Sequence, residues 1–306
     1  MTQLLEFKNL QELMTKLGDE QVCRAYMEQM RWGNEPFCPH CNSTKPYKLK
    51  DGKSYRCSSR KCKKDFTVTV GTIFENSKVK LSTWLAAIYI LTGHKKGISS
   101  LQLSRFLGVT QKTAWFINHR VRLIMDLPPE PLDDVVEIDE TYVGGKLANM
   151  SRGRRKKWQE ANKDNKTAVM GLLQRDGKAK LEVIGNRTFK EVIRGNVHPT
   201  ATIYTDAHSG YELLSHEYAG HEAVNHSIQE YRRGLAYTNS IEGFFSLFKR
   251  TIHGTYHYIS PKHLHRYCAE TTFRFNSRQI KDADRFKATI SNVEGRLKYK
   301  NLISKA

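Results

Sequence analysis

Four cysteines within twenty-five residues constrain this chain more than any other feature. Cys38 and Cys41 form a C-x2-C pair, fifteen residues follow, and Cys57 and Cys62 form a C-x4-C pair. Between them, Lys50-Asp51-Gly52-Lys53 reads as a turn joining short strands. A hairpin would bring the two knuckles together, and four thiolates would surround one Zn²⁺ with Zn–S distances near ~2.3 Å. Modules of this size fold on their metal because they cannot build a sufficient core. His40 lies inside the first knuckle, but four sulfurs already fill the coordination shell. A structural, not a catalytic, zinc is therefore expected. Two disulfides are the competing use of these cysteines. The N-terminal stretch lacks the pattern of a secretory signal, which argues against them. Cys23 and Cys268 stand alone and are expected as buried small hydrophobes.

The rest of the chain divides around this module. Residues 1–35 carry leucines at helical spacing and form an N-terminal helical segment, ahead of the zinc ribbon at 36–75. Residues 76–127 read as helices. Within them Gly108 marks a turn, Thr110 caps a second helix, and Ala114, Ile117, Val121 and Ile124 give that helix a buried stripe. Two helices around a short glycine turn suit a DNA-reading helix-turn-helix as well as an ordinary helical hairpin. In the first case Gln111, Lys112, Thr113, Asn118, His119, Arg120 and Arg122 form the exposed, base-reading face. Three prolines among residues 128–131 make 128–133 a linker. Beyond it, residues 134–285 alternate strands and helices, as expected for an α/β or α+β domain with a mixed sheet. Residues 286–306 read as a basic tail.

Charge gives the first indication of a partner. Fifty Lys and Arg against thirty-one Asp and Glu leave a formal charge of +19, the balance of a chain that meets a polyanion such as nucleic acid. Residues 146–166 concentrate it, with eight Lys and Arg against two acids and Trp158 among them. Arg154, Arg155, Lys156 and Lys157 in this insertion either track a DNA backbone or form a solvated loop. No apolar run reaches the ~20 residues of a membrane span.

Three acids stand out from this basic background. Asp139 lies mid-strand in VVEIDETYV, where a carboxylate is costly unless it holds a cation. Alternation puts Glu137 on its face and Ile138 and Glu140 on the other, so Glu137 is an extra ligand or a decoy. Asp206 follows Ile203-Tyr204-Thr205 at a strand's C-terminal end, where α/β sites gather. Glu242 shares a polar helical stripe with Asn239, Ser246 and Lys249. Converging carboxylates repel unless cations intervene. Two Mg²⁺ ions ~3.5–4 Å apart would relieve the repulsion and serve phosphoryl transfer.

These residues lie in segments that resemble one family. EIDETYVGGK, IYTDAHSGY and the run from His226 to Arg278 are similar to the ISXO-type insertion-sequence DDE transposases. So are CPHC, GTIFENSKVKLSTW and the KKGISSLQL and GVTQKTAW segments, and the likeness spans about residues 20–285. It implies an RNase H-like catalytic domain with Asp139, Asp206 and Glu242 as catalytic acids holding two Mg²⁺ (or Mn²⁺) ions. Asn239 is implied as an alternative ligand, because the family's third position varies. Lys249, with Arg250 beside it, is implied at DNA phosphate. The implied reaction is hydrolysis at transposon ends and joining of the 3′-hydroxyl to target DNA, by at least a dimer on double-stranded DNA. The implied location is cytoplasmic and nucleoid-associated in a bacterium, or nuclear in a eukaryote. A DNA-binding regulator without catalysis and a stand-alone nuclease of the same fold are the competing readings.

Overall fold

The computed structural model describes residues 5–33, 35–127, 130–145, 147–160, 166–206, 209–211, 214–224 and 237–304. Two compact units divide it: residues 1–125 with 279–306, and residues 126–278.

In the first unit, α1 (Leu10–Lys16) and α2 (Glu20–Trp32) are capped by the side chains of Asn9 and Asp19, each accepting first-turn backbone N–H groups. The ribbon follows as a three-stranded antiparallel sheet of β1 (Pro46–Lys48), β2 (Ser54–Cys57) and β3 (Asp65–Thr67). Asp51 closes its hairpin by accepting the Lys53 and Ser54 amides, beside Gly52 at φ +67°. Trp32 packs edge-on against Phe37, Tyr55 and Phe66, which joins α2 to the ribbon. The apolar helix α3 (Leu81–Gly93) precedes α4 (Ser100–Leu107) and α5 (Gln111–Met125). Gly108, left-handed at φ +63°, makes the turn between α4 and α5.

The second unit is built on five strands: β4 (Val135–Gly144), β5 (Lys166–Gln174), β6 (Ala179–Val183), β7 (Thr202–Asp206) and β8 (Gly220–Val224). Their order is β6-β5-β4-β7-β8. β4–β5 and β5–β6 pair antiparallel, whereas β4–β7 and β7–β8 pair parallel. The sheet is therefore mixed, as expected of an RNase H-like domain. The basic insertion folds in part into α6 (Arg152–Glu160), and α7 (Phe189–Arg194) opens on a Thr188–Glu191 capping box. One face of the sheet buries Ile138, Leu172 and Ile203 with Val192, Ile193 and Tyr211. The other buries Val169 and Leu181 with Ile241, Phe244 and Phe248 of α8 (Asn239–Thr251) and Leu264 and Cys268 of α9 (Leu264–Asn276).

One glycine sets how closely α8 approaches. Gly171 on β5 pairs across from Asp139, and a Cβ there would meet Phe245 at 2.7 Å and Ile241 at 2.8 Å. Gly171→Ala is accordingly expected to destabilise the protein by ~1–3 kcal/mol through overpacking, read as a lower urea midpoint at unchanged slope.

Residues 286–306 are not a tail. α10 (Asp282–Ile290) and α11 (Tyr299–Ile303) belong to the first unit, and Phe286, Ile290, Val293 and Leu302 are buried. Phe286 packs against Phe7 and Tyr89, and Val293 accepts the Ile73 amide. The second unit accordingly closes at Arg278 instead of residue 285. Leu132, read as linker, is buried in the second unit's core and pairs with Val197. Residues 128 and 129 lie outside the described residues.

Candidate metal and nucleic-acid sites

The β4–β7 pairing brings two of the acids together. The strands run parallel with Glu137 level with Tyr204, so Asp139 and Asp206 lie two residues further along neighbouring strands. Glu140 joins them, and carboxylate oxygens of all three lie within 4.8 Å of one another. Alternation had put Glu140 on the opposite face, and its partner is indeed there: Tyr211 donates its hydroxyl to Glu140 Oε2 at 2.7 Å. Its side chain nevertheless offers an oxygen within reach of both aspartates. The adjacent acids Asp139-Glu140 were the only sequence signal for it.

Glu242 lies outside that group. It is exposed on the first turn of α8, near enough for its charge to act on Asp139. Asn239, the first residue of α8, is exposed as well, and so are Lys249 and Arg250 in the last turn.

The cluster's electrostatics ask for a cation. Burial, reinforced by the charges of Asp206, Glu140 and Glu242, pushes the Asp139 carboxyl up to about 7, although the Glu140 amide donates to its Oδ1 at 2.7 Å. Asp206 Oδ1 is buried with no hydrogen-bond partner among the described residues. An orphaned acceptor beside a destabilised carboxylate fits a hard divalent ion, which takes oxygen ligands. Asp139, Asp206 and Glu140 could hold one directly, with Glu242 at the rim.

The raised Asp139 value has a measurable consequence. Between about pH 4 and 7 the folded protein keeps a proton that the unfolded chain has released. The stability from this group is complete below the unfolded value and is lost as pH rises through the folded one. In EDTA, melting temperature relative to Asp139→Asn is expected to fall across that window and level off above it. Millimolar Mg²⁺ should flatten the difference, and a difference flat in EDTA would contradict the assignment.

The four ribbon cysteines also converge. Cys38 and Cys62 sulfurs are 3.8 Å apart and those of Cys41 and Cys57 3.5 Å, close to the ~3.8 Å edge of a tetrahedral Zn–thiolate site. The knuckles are shaped by Asn42 at φ 57° and Lys63 at φ 47°, and by Asn42 and Lys63 amides donating back to Cys38 and Ser59 carbonyls.

The helix-turn-helix face is smaller than the sequence implied. Gln111 and Lys112 are exposed and Thr113 half-exposed at the start of α5. Asn118, His119, Arg120 and Arg122 are buried instead. Arg120 donates to the carbonyls of Ile73 at 2.6 Å and Leu297 at 3.2 Å, and Asn118 to that of Ile98 at 3.5 Å. His119 packs edge-on against Trp115. These groups tie α5 to its surroundings and cannot read bases where they stand. In the insertion, Lys156 is exposed with Glu160 at 3.9 Å, whereas Arg155 is half-buried and donates to the Ala148 carbonyl at 2.7 Å. The side chains of Arg154 and Lys157 lie outside the described residues.

Comparison with known proteins decides the family. Residues 131–276 match the ISXO2-like transposase domain, and residues 18–65 match the transposase zinc-ribbon domain. A protein of transposable element ISH50 from Halobacterium salinarum is 30% identical over 241 residues, which cover 73% of this chain and 80% of that one. This chain belongs to the ISXO2-like transposases. A transposase-like protein of Haemophilus influenzae is also 30% identical, over 98 residues that cover 32% of this chain and 78% of its own. The transposase domain match contains the mixed sheet and all four acids described above. The ribbon match contains the four cysteines and supports a structural zinc there. No helix among the described residues is long and apolar enough to cross a membrane.

Proposed function

We propose that this transposase cuts DNA at the ends of its element and joins the freed 3′-hydroxyl to target DNA, using divalent cations held by Asp139, Asp206 and Glu242. The observation that carries this reading is the Asp139–Glu140–Asp206 cluster, with its orphaned Asp206 oxygen and raised Asp139 carboxyl. Mg²⁺ or Mn²⁺ bound there would supply Lewis-acid stabilisation of charge on the attacking and leaving oxygens of the phosphodiester. In the first step a water oxygen bonds to phosphorus and the P–O3′ bond breaks, leaving a 3′-hydroxyl. In the second that hydroxyl bonds to a target phosphorus and the target's own 3′ oxygen leaves. One phosphodiester forms for each that breaks, so joining needs no nucleotide triphosphate and no covalent protein intermediate.

The chain's own residues divide the remaining work. Asp139 and Asp206 are fixed by the central strands, so their oxygens are placed before substrate arrives. Tyr211 holds Glu140 against them. Glu242 comes from α8, with Asn239 beside it as an alternative donor. Lys249 and Arg250, exposed on the last turn of that helix, contact phosphate. Gln111, Lys112 and Thr113 at the start of α5 read the terminal repeat, and Lys156 tracks the backbone with its basic neighbours Arg154, Arg155 and Lys157. Two ends require two active sites, hence at least a dimer on DNA. A nucleoid-associated location follows in a bacterial host, and a nuclear one in a eukaryotic host.

The test is incubation of purified protein with a labelled duplex carrying its element's terminal repeat, in Mg²⁺ or EDTA. Metal-dependent nicking at the repeat boundary, followed by joining into plasmid, is the expected result. Tight repeat binding without cleavage in either Mg²⁺ or Mn²⁺ would leave a regulator. Cleavage without joining would leave a nuclease.

A further inference from the structure

Glu137 stands two residues before Asp139 on β4 but is not one of the three clustered acids. Its side chain is fully buried. Oε2 accepts the amides of Ser240 and Ile241 at 3.0 and 3.1 Å, and Oε1 accepts Arg175 Nε at 2.8 Å. Those two amides belong to the first turn of α8, whose donors have no partner within the helix. Thr238, the residue at the helix start, gives no side-chain cap. A strand carboxylate therefore does what a local cap does elsewhere.

Arg175 extends the tie. It directly follows β5, and its Nη2 donates to the Tyr237 carbonyl at 3.2 Å, just before α8. Its guanidinium lies 3.7 Å from the Tyr237 ring centre and 4.7 Å from that of Tyr204. Tyr204 is on β7, two residues before Asp206. One ion pair thus joins the strand of Asp139, the strand of Asp206 and the helix of Glu242.

Apolar packing alone does not explain this arrangement. Ile241 and Phe245 already press α8 onto the sheet at Gly171. A buried ion pair adds little net stability over apolar side chains of similar volume. What it adds is direction: two amides and a guanidinium fork fix where the helix begins along its own axis. Glu242 lies on that same first turn.

We propose that Glu137 is a positioning residue, which with Arg175 sets the start of α8 and thereby the place of Glu242 relative to Asp139 and Asp206. The proposal rests on the reading of those three acids as the metal-holding set.

The full chain is titrated with Mn²⁺, the free ion being followed by electron paramagnetic resonance, for wild type, Glu137→Gln, Glu242→Gln and the double variant. Amide hydrogen exchange at Ser240 and Ile241 is measured on the same proteins. Glu137→Gln is expected to weaken Mn²⁺ binding ~10- to 100-fold, as loss of a group that orients a ligand does. It should also expose both amides to exchange. In the Glu242→Gln background the same substitution should change affinity by less than about twofold, because an effect transmitted through Glu242 disappears with it. Independent, multiplying effects would overturn the proposal, and so would wild-type affinity in Glu137→Gln despite lost amide protection. Should Glu137→Gln fail to fold, Arg175→Lys keeps the positive charge, loses the fork, and takes its place in the cycle. If Glu242→Gln leaves Mn²⁺ binding unchanged while Asp139→Asn abolishes it, the proposal fails and the aspartate site stands. If Asp139→Asn also leaves it unchanged, the metal site itself is wrong.

Discussion

Asp139→Asn is expected to abolish strand cleavage while making the metal-free protein more stable. The substitution preserves shape, and its Oδ1 can still accept the Glu140 amide that Asp139 accepts at 2.7 Å. What it removes is a carboxylate that burial and three neighbouring acids push up to about 7. At pH 8 in EDTA, removing that ionised group should raise stability by ~2–4 kcal/mol, since each pKa unit corresponds to about 1.4 kcal/mol. Mg²⁺ reverses the order. Wild type gains stability as the ion binds the folded state, whereas the variant gains little. Loss of a metal ligand removes several kcal/mol of transition-state stabilisation, about 10³-fold or more in rate. Melting with and without Mg²⁺, beside the cleavage assay, checks both signs. A variant that lost activity together with stability in EDTA would mean a folding defect and would remove the metal argument. The same trade between stability and function recurs wherever a site stores repulsion for a ligand to relieve.

Which parts of this molecule could be read from its sequence follows from how local each signal is. The ribbon cysteines are spaced by the geometry of their own knuckles, so C-x2-C and C-x4-C sufficed. Asp139 and Asp206 were visible because an acid inside or ending an apolar strand has few other reasons to be there. Glu140 was not, because strict alternation assigns it to the other face, and only its length lets it serve both Tyr211 and the cluster. Glu137 shared a face with Asp139 as expected. Its use as a cap for α8 could not be read, since the helix start it holds lies about a hundred residues later. The largest misreading concerns α5. α5 carries polar groups around much of its circumference, so Asn118, His119, Arg120 and Arg122 looked solvent-facing. Residues 279–306 return to the first unit, and Leu297 accepts a hydrogen bond from Arg120. The apolar pattern of that segment was available: Phe286 and Ile290 one turn apart, then Val293 and Leu297. The basic residues among them drew the reading toward a tail.

Removing the ribbon's zinc is expected to unfold the ribbon while leaving the second unit intact. Its three strands contain ten residues in all, and its apolar support is Tyr55, Phe66 and Trp32. A core that small does not hold a module of this size folded by itself. A structural zinc adds ~10–16 kcal/mol of folding free energy at neutral pH, so the metal decides whether the ribbon is folded. Cys57 is the most informative position, because it is buried, ends β2 and lies 3.5 Å from Cys41. Cys57→Ser, or a strong chelator on the wild type, should open residues 36–70 to proteolysis at concentrations that leave the rest uncut. Residues 126–278 keep their own cores on both faces of the sheet, so their amide protection should persist. The effect should spread within the first unit, however. Arg31, at the end of α2, donates to the Val68 carbonyl just past β3 at 2.7 Å and pairs with Glu294 at 2.7 Å. Glu294 in turn sits in the bridge opposite Thr72. Melting the ribbon frees one anchor of that chain, so zinc loss should also lower the protection of residues 290–297 by a measurable step. If residues 36–70 stayed protected in the chelator, the cysteines would hold this module together without a metal, and the disulfide reading would return.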